Sequence, residues 1–371
     1  MEQNSPHINK CLIPLSWLYG LVVYVRKKLF DWGVLKHEKF DIPVISIGNI
    51  TVGGTGKTPH VEYLVRLLKN SFNVAVLSRG YKRKTKGFVL ATNSATYKDL
   101  GDEPYQIKEK FFDITVAVDE DRRRGIEKLL SMKDSPDVIL LDDAYQHLYV
   151  KPSLSILLTD YNRPMHKDRL LPAGRLRENA DNIDRANIVI VTKCPSELKP
   201  IDMRIIRHDL NIYPYQTLIF TTVKYGNLVS MFGQTDLFSK EEQPLEMIRD
   251  RNVLLLTGIA SPEPILEELK NYTDSVRSVN YPDHHDFTSD DIRNIEEKYK
   301  ELNDPHAITI VTEKDAVRLM HREDLSDKLK RSLYYLPIEI SFLNKEDKII
   351  FNKKVYSHVR KNSRNSEFSQ E

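Results

Sequence analysis

Two cysteines, Cys11 and Cys194, are all that a chain of 371 residues contains. A disulfide framework is thereby excluded, a reducing cytoplasm is the compartment that fits, and neither residue sits in metal-ligand spacing. Excess charge is missing too: 55 Lys and Arg stand against 53 Asp and Glu, a net +2 at pH 7. Bulk charge therefore gives no case for a nucleic-acid partner. Also lacking is an apolar stretch that would cross a bilayer. The run from Cys11 to Val25 is nearly all apolar but is stopped by Arg26-Lys27-Lys28. As a helix it reaches about 22 Å, against a hydrocarbon core of roughly 30 Å. With no basic stretch ahead of it and no small-residue cleavage site behind it, it does not read as a signal peptide.

What the run does have is a face. Leu18, Leu21, Val22, Val25 and Leu29 fall on one side of a helix, Trp17, Tyr24 and Trp32 suit an interface, and the basic cluster suits anionic head groups. A membrane-surface helix is expected over residues 1–35; a helix in the core of the first domain is the alternative.

The stretch from Ile42 to Lys69 organises the rest. A strand, Ile42-Pro43-Val44-Ile45-Ser46-Ile47, feeds a turn through Gly53, Gly54, Thr55 and Gly56, and Lys57-Thr58-Pro59 opens a helix. Such a junction turns unpaired backbone N–H groups and the positive end of a helix dipole toward an anion. Lys57 is placed for the β- and γ-phosphates of a nucleotide and the Thr58 hydroxyl for Mg²⁺. The early glycine of the usual P-loop is missing, replaced by Thr51, and Val52 stands where partitioning-type ATPases carry a lysine. An ordinary glycine-rich βα turn is the competing reading.

Strands at 74–77, 87–91, 114–118 and 138–141 then alternate with helices at 103–111 and 122–132, which argues for a mainly parallel sheet. Val138 to Leu141 ends in Asp142-Asp143, the place for an acid that holds Mg²⁺ opposite Thr58. A surface acidic turn is the alternative. Gly101-Asp102-Glu103-Pro104 puts two acids at a helix start, where by themselves they serve only the dipole. The basic turn Ser78-Arg79-Gly80-Tyr81-Lys82-Arg83-Lys84 is either a solvated loop or a phosphate-handling one at a strand's carboxyl end. Arginines in the Pro/Gly loop from Asp160 to Glu178, Arg175 and Arg177 among them, are able to clamp an anion. Thr192-Lys193-Cys194-Pro195 resembles the Thr-Lys-x-Asp base-reading motif of GTPases without its aspartate, so a guanine preference is unsupported.

After the strand at 218–223, periodicity weakens from Asn227 to Pro244, which marks a boundary. A second βα series follows: a strand at 253–256, a helix capped by Ser261 with Pro262 at N1, a strand at 276–279, and the loop Asp283-His284-His285-Asp286. A helix opened by Thr288-Ser289-Asp290-Asp291 comes next, then strands at 307–311 and from Tyr334 to Phe342. No phosphate loop occurs there, and the adjacent His284 and His285 do not imply a paired metal site. Val359 onward is polar and is expected to be disordered.

Taken in order, Ile45 to Pro59, Ser78 to Tyr81, Gly101 to Pro104, Leu141-Asp142-Asp143-Ala144-Tyr145-Gln146-His147, Leu171 to Glu178, Asp283-His284 and Thr312-Glu313-Lys314-Asp315-Ala316 closely resemble the tetraacyldisaccharide 4′-kinase (LpxK) family over nearly the whole chain. That family also lacks the early loop glycine; Ala144 and Tyr145 stand where it usually has Gly and Phe. The resemblance implies an α/β fold. A P-loop kinase-type lobe with a mainly parallel sheet (36–215) would be followed by a β linker (216–230), a smaller α/β lobe (231–358) and a polar tail (359–371).

The resemblance further implies an ATP- and Mg²⁺-dependent lipid kinase. It would move the γ-phosphate of ATP to the 4′-hydroxyl of tetraacyldisaccharide 1-phosphate, forming lipid IVA in lipid A (lipopolysaccharide) biosynthesis. The enzyme would be peripheral, at the cytoplasmic face of the bacterial inner membrane, against an anionic membrane surface, and is expected to be a monomer without a nucleic-acid partner. Carried over by motif, Gly53, Gly54, Thr55, Gly56, Lys57 and Thr58 hold ATP, and Thr58, Asp142, Asp143 and Glu103 serve the metal. Asp102 is the general base with His284 of the second lobe as its partner, and Lys57 acts on the phosphates. Arg79, Tyr81, Gln146, His147, Arg175 and Arg177 are the substrate-binding candidates. Glu313, Lys314 and Asp315 match the family pattern without an evident physical role, helix capping being as open a reading as catalysis. The main rival is a partitioning or metal-chaperone type ATPase that switches a protein partner; Val52 and the motif-free second lobe count against it. A GTPase switch lacks its aspartate, and a soluble small-molecule kinase leaves the Cys11–Val25 run unexplained.

Overall fold

The computed structural model describes residues 8–232, 242–259 and 261–362. Their strands make two sheets of nine and six. The first holds β1 (Val44–Asn49), β2 (Val74–Ser78), β3 (Val89–Leu90), β4 (Thr115–Val118), β5 (Val138–Asp142), β6 (Leu154–Asp160), β7 (Ile188–Thr192) and β8 (Thr217–Tyr225). The second holds β9 (Leu228–Ser230), β10 (Glu242–Gln243), β11 (Val253–Thr257), β12 (Val276–Asn280), β13 (Ile308–Thr312) and β14 (Leu333–Leu336), and β15 (Ile338–Phe342) returns to the first.

The larger sheet runs β15-β8-β7-β6-β1-β5-β2-β4-β3. Every pairing from β8 to β4 is parallel, and β3 is antiparallel to β4. Strands β1, β2, β5 and β7 are buried at every residue, as strands covered on both faces must be. Two helices matter most for the site: α1 (Ile13–Asp31) and α2 (Lys57–Leu68). The latter lays Val61, Leu64, Val65 and Leu68, at helical spacing, onto Ile45, Ile47, Val76, Leu140 and Ile156. Strand β1 sits between β5 and β6 while the chain continues from β1 to β2 on one side and from β6 to β7 on the other. The loop after β1 therefore opens where the strand order diverges, the crevice in which open α/β sheets take their ligands.

Residues Lys224–Glu339 form a second compact unit, and the rest of the described chain belongs to the first. The smaller sheet runs β10-β9-β14-β13-β11-β12, parallel from β14 to β12. The chain passes between the units twice, which differs from the sequence expectation in three places. Tyr334 to Phe342 is two strands, because Pro337, without an N–H to continue a ladder, separates β14 from β15. Residues 340–358, expected in the second lobe, lie with the first unit: the helix Lys345–Asn362 buries Phe351, Val355 and Val359 in the α2 core. Val359 is thus helical and fully buried, not the start of a disordered tail; residues 363–371 lie outside the described part. Pro262 is an N-cap with the helix beginning at Glu263, and the helix Pro200–Asp209 was not foreseen.

Candidate active site

Four alternate residues of the loop after β1 are each tied from outside. Arg177 N–H donates to the Ile50 carbonyl at 2.7 Å, Val52 N–H donates to the Arg175 carbonyl at 2.7 Å, and Lys193 Nζ donates to the Gly54 carbonyl at 2.5 Å. Gly56, in left-handed backbone at φ +80 ahead of α2, presents its carbonyl to His60 Nδ1 at 2.7 Å. The Asn49 amide donates to the Thr55 hydroxyl at 2.8 Å. Gly53 is at φ +117, so the turn needs glycine there. Thr51 does not need to be glycine: it is extended, in a β-bridge with Leu176. His60 went unnoticed in the sequence. Burial pushes its imidazole down to about 4, so it is neutral. Facing a carbonyl, Nδ1 carries the proton, and Nε2 accepts from the Thr221 hydroxyl at 3.2 Å.

The carboxyl end of β5 brings the predicted acids to this loop. Lys57 Nζ lies 3.6 Å from Asp143 Oδ1, and Arg177 Nη1 donates to both Asp143 oxygens at 3.3 Å. Gln146 accepts from Arg177 at 3.4 Å and donates to the Asn49 carbonyl at 2.7 Å. Burial alone would raise the Asp143 carboxyl, but Lys57 and Arg177 hold it below its ordinary value. Asp142 is pushed up to about 7, first by burial and then by Glu103 and Asp143. Its Oδ2 accepts from Ser78 at 3.3 Å, while its Oδ1 is buried with no hydrogen-bond partner among the described residues. An unpaired buried carboxylate oxygen crowded by two more acids fits a divalent cation. Among the described residues no set of three or more His, Cys, Asp or Glu side chains forms a ready-made metal cage. The carboxylates of Asp142 and Asp143 suit Mg²⁺, which takes one or two carboxylates and completes its shell with water and phosphate.

Asp102 and Glu103 open the helix Asp102–Lys110. They are set by two glycines that interlock with the basic turn: a Cβ on Gly101, at φ +90, would lie 2.8 Å from the Tyr81 carbonyl, and one on Gly80 would lie 2.8 Å from the Leu100 carbonyl. The turn is therefore packed, not simply solvated. Arg83 bonds the Gly87 carbonyl at 2.7 Å and pairs with Glu120, leaving Arg79 and Tyr81 exposed. Arg122 is buried, and burial drops its guanidinium to about 10. Arg175 is exposed, its N–H donating to Asp168 at 3.2 Å. His147 is pushed down to about 4, first by burial and then by Arg122.

Helix α1 docks beside this loop with its polar side. Ser16 donates to the Leu170 carbonyl at 2.9 Å, Tyr19 to the Arg177 carbonyl at 2.9 Å, and Lys27 to Asn182 at 2.7 Å. Ser16 and Phe30 are its buried residues, whereas Trp17, Leu18, Leu21, Val22, Tyr24 and Val25 are exposed. A core helix would show the reverse.

In the second unit, His284 lies on the loop after β12 at φ +60, its Nδ1 at 3.2 Å from Arg318. Arg318 also donates to the His285 carbonyl at 2.9 Å. Asp315 accepts from Thr312 and from Gly258 N–H at 2.6 and 2.9 Å. The Thr312–Asp315 motif thus has a physical role after all: it caps the helix Glu313–Leu319, whose Arg318 holds the His284 loop.

A glycine loop at the switch point of a parallel sheet, a Lys-Thr helix start, and paired acids at the end of the neighbouring strand define a P-loop phosphotransferase. The family described as LpxK, tetraacyldisaccharide-1-P 4′-kinase, matches residues 8–356, and the chain belongs to that family. Tetraacyldisaccharide 4′-kinase of Bacteroides thetaiotaomicron is 54% identical, spanning 100% of this chain and 98% of its own length. That of Phocaeicola vulgatus is 51% identical over 100% of both. A crystal structure of LpxK from Aquifex aeolicus in complex with ATP is 30% identical, with a TM-score of 0.72, covering 94% of this chain and 98% of that one. The switch-ATPase alternative is not favoured by these matches.

Proposed function

We propose that this kinase transfers the γ-phosphoryl group of ATP to the 4′-hydroxyl of tetraacyldisaccharide 1-phosphate, forming lipid IVA in lipid A biosynthesis. The observation that carries the reading is the Lys57–Asp143–Asp142 cluster at the mouth of the glycine loop, in a chain matched to the family over residues 8–356. Gly53 to Thr58 cradle the phosphates, and Lys57 exchanges Asp143 for a phosphate oxygen as ATP arrives. Asp143 stays ionised on Arg177. Asp142 Oδ1 and the Thr58 hydroxyl would hold Mg²⁺, with Glu103 and Asp143 adding negative charge around it; when bound, the ion neutralises charge on the transferring phosphoryl group. Asp102 accepts the proton of the 4′-hydroxyl, a step worth about 10²- to 10⁴-fold. His284 is assigned as its partner by the family resemblance. Arg79, Tyr81, Gln146, His147, Arg175 and Arg177 bind the lipid head. Among the described residues no helix is long and apolar enough to cross a membrane; the exposed face of α1 supports peripheral attachment to an anionic surface at the cytoplasmic face of the inner membrane, with the enzyme acting as a monomer.

The test is transfer of label from γ-labelled ATP to tetraacyldisaccharide 1-phosphate in mixed micelles. The expected outcome is labelled lipid from the intact enzyme, loss of label with Asp102→Ala, and lowered kcat with unchanged ATP binding for His284→Ala. ATP hydrolysis without labelled lipid would sink the substrate assignment, and normal turnover of either variant would remove that residue from the mechanism.

A further inference from the structure

The Thr192-Lys193 pair looks like a base-reading motif that has lost its aspartate, and the proposed chemistry makes no use of it. Its place in the fold gives it another task. Strands β6 and β7 end side by side, pinned by Tyr161 N–H on the Thr192 carbonyl at 3.0 Å. Asp160, the last residue of β6, accepts from Lys193 Nζ at 2.8 Å. The same ammonium donates to the Gly54 carbonyl, 139 residues away in sequence, at 2.5 Å. Lys193 has left-handed backbone at φ +55. A residue with a Cβ is rarely found there, and such conformations persist where the surroundings hold them in place. Asp143 and His284, both assigned to the reaction, share that conformation at φ +47 and +60, as do Lys82, Asn211, Asp250 and Asn303. A solvated surface ion pair needs neither the backbone conformation nor a bond to a glycine carbonyl.

We infer that Lys193 is a positioning residue for ATP: held by Asp160, it fixes the Gly54–Thr55 peptide so that its N–H is turned toward the nucleotide phosphates. In a trans peptide the C=O and N–H point opposite ways, so a carbonyl drawn to Lys193 directs the Thr55 N–H away from it. That N–H now donates to the loop's own Gly53 carbonyl at 3.1 Å, a bond that a phosphate oxygen replaces without moving the peptide. His60 does the same for the next peptide but one, at Gly56, from the opposite end of the loop. The two anchors set the orientation of the loop amides before the ligand arrives, and with it the affinity for triphosphate.

The inference rests on the reading that residues 50–58 hold the ATP phosphates, and the experiment separates the two. KM for ATP, KM for the lipid, kcat and the nucleotide-free unfolding temperature are measured on the full-length enzyme and on Lys193→Met, Lys193→Arg, Asp160→Asn and Lys57→Ala. Lys193→Met, which keeps the stem and removes the donor, is expected to raise KM for ATP about tenfold or more, with lipid KM and unfolding temperature unchanged. Lys193→Arg regains much of the loss, and Asp160→Asn falls between. Unchanged ATP KM in Lys193→Met overturns the inference, as does a parallel rise of both KM values with a lower unfolding temperature, which marks a general structural role. If Lys57→Ala also leaves ATP KM and turnover intact, the loop reading itself fails.

Discussion

Asp142 and Asp143 are neighbours with the same side chain and opposite behaviour. Asp142, sealed under the sheet's carboxyl edge beside Glu103, is driven up toward neutrality; Asp143, turned out by its left-handed backbone, meets Lys57 and Arg177 and stays ionised. Environment sets the role of each. The same scale governs Gly101. Gly101→Ala meets both the positive φ and the Tyr81 carbonyl, and is expected to cost about 1–3 kcal/mol of stability and to lower kcat by shifting Asp102. Urea midpoints together with turnover check this; unchanged values would show that the turn yields freely. His147 gives a pH signature. Its pKa falls from about 6.5 in the unfolded chain to about 4 in the fold, because of burial and then Arg122. The unfolded chain binds the extra proton between those values, so this contribution is complete above pH 6.5 and is lost as pH falls toward 4, on the order of 2 kcal/mol once partial exposure is discounted. Unfolding temperatures from pH 7 to 4.5 should fall more steeply for the wild type than for His147→Asn; parallel curves would assign the titration elsewhere.

At the scale of the element, α1 is inverted relative to an ordinary surface helix. Ser16, Tyr19 and Lys27 face the protein, and Leu18, Leu21, Val22 and Val25 face outward with Trp17 and Tyr24. An apolar face left in water is a surface that a lipid interface would bury. Leu21→Asp with Val25→Asp is expected to weaken sedimentation with anionic vesicles about tenfold or more. KM for the lipid should rise while KM for ATP and the unfolding temperature hold, since both side chains are exposed. Equal vesicle binding by the variant would leave α1 as scaffolding for the Arg177 loop alone.

At the scale of the molecule, the two units build their hydrophobic clusters from different stretches of chain. The second unit fills its own core with Leu254, Leu256, Ile292, Ile295, Val311 and Leu333. The first unit takes back the C-terminal helix, with Phe351 at 1% exposure against α2. Phe351→Ala is expected to destabilise by about 3–5 kcal/mol, and the isolated segment Lys224–Glu339 to fold by itself. Calorimetry of the variant should show one transition shifted and the other retained. A segment without a cooperative transition, or two transitions moving together, would show that the units do not fold separately.

The phosphate loop, the Asp142–Asp143 pair and the parallel sheet were legible in the chain because each is local: consecutive residues carry the strand, turn and helix start, and strands buried on both faces are written as apolar runs. Helix α1 was legible as a face suited to an interface; the partners of its polar side, the Leu170 and Arg177 carbonyls among them, were not. The contacts that hold the loop were illegible too. Lys193 reaches Gly54 across 139 positions and His60 reaches Thr221 across 161, and nothing in the identity of a lysine or a histidine announces such a partner. The C-terminal helix was misassigned because its order in the chain follows the second unit, while its Phe351, Val355 and Val359 are claimed by the first. By itself the sequence determined that a strand, a glycine turn and a Lys-Thr helix start follow one another and that two acids end a buried strand. The tertiary structure alone decided how that chemistry is aimed, because parallel pairing brings distant strand ends to one edge, and only there do their side chains and backbone groups meet.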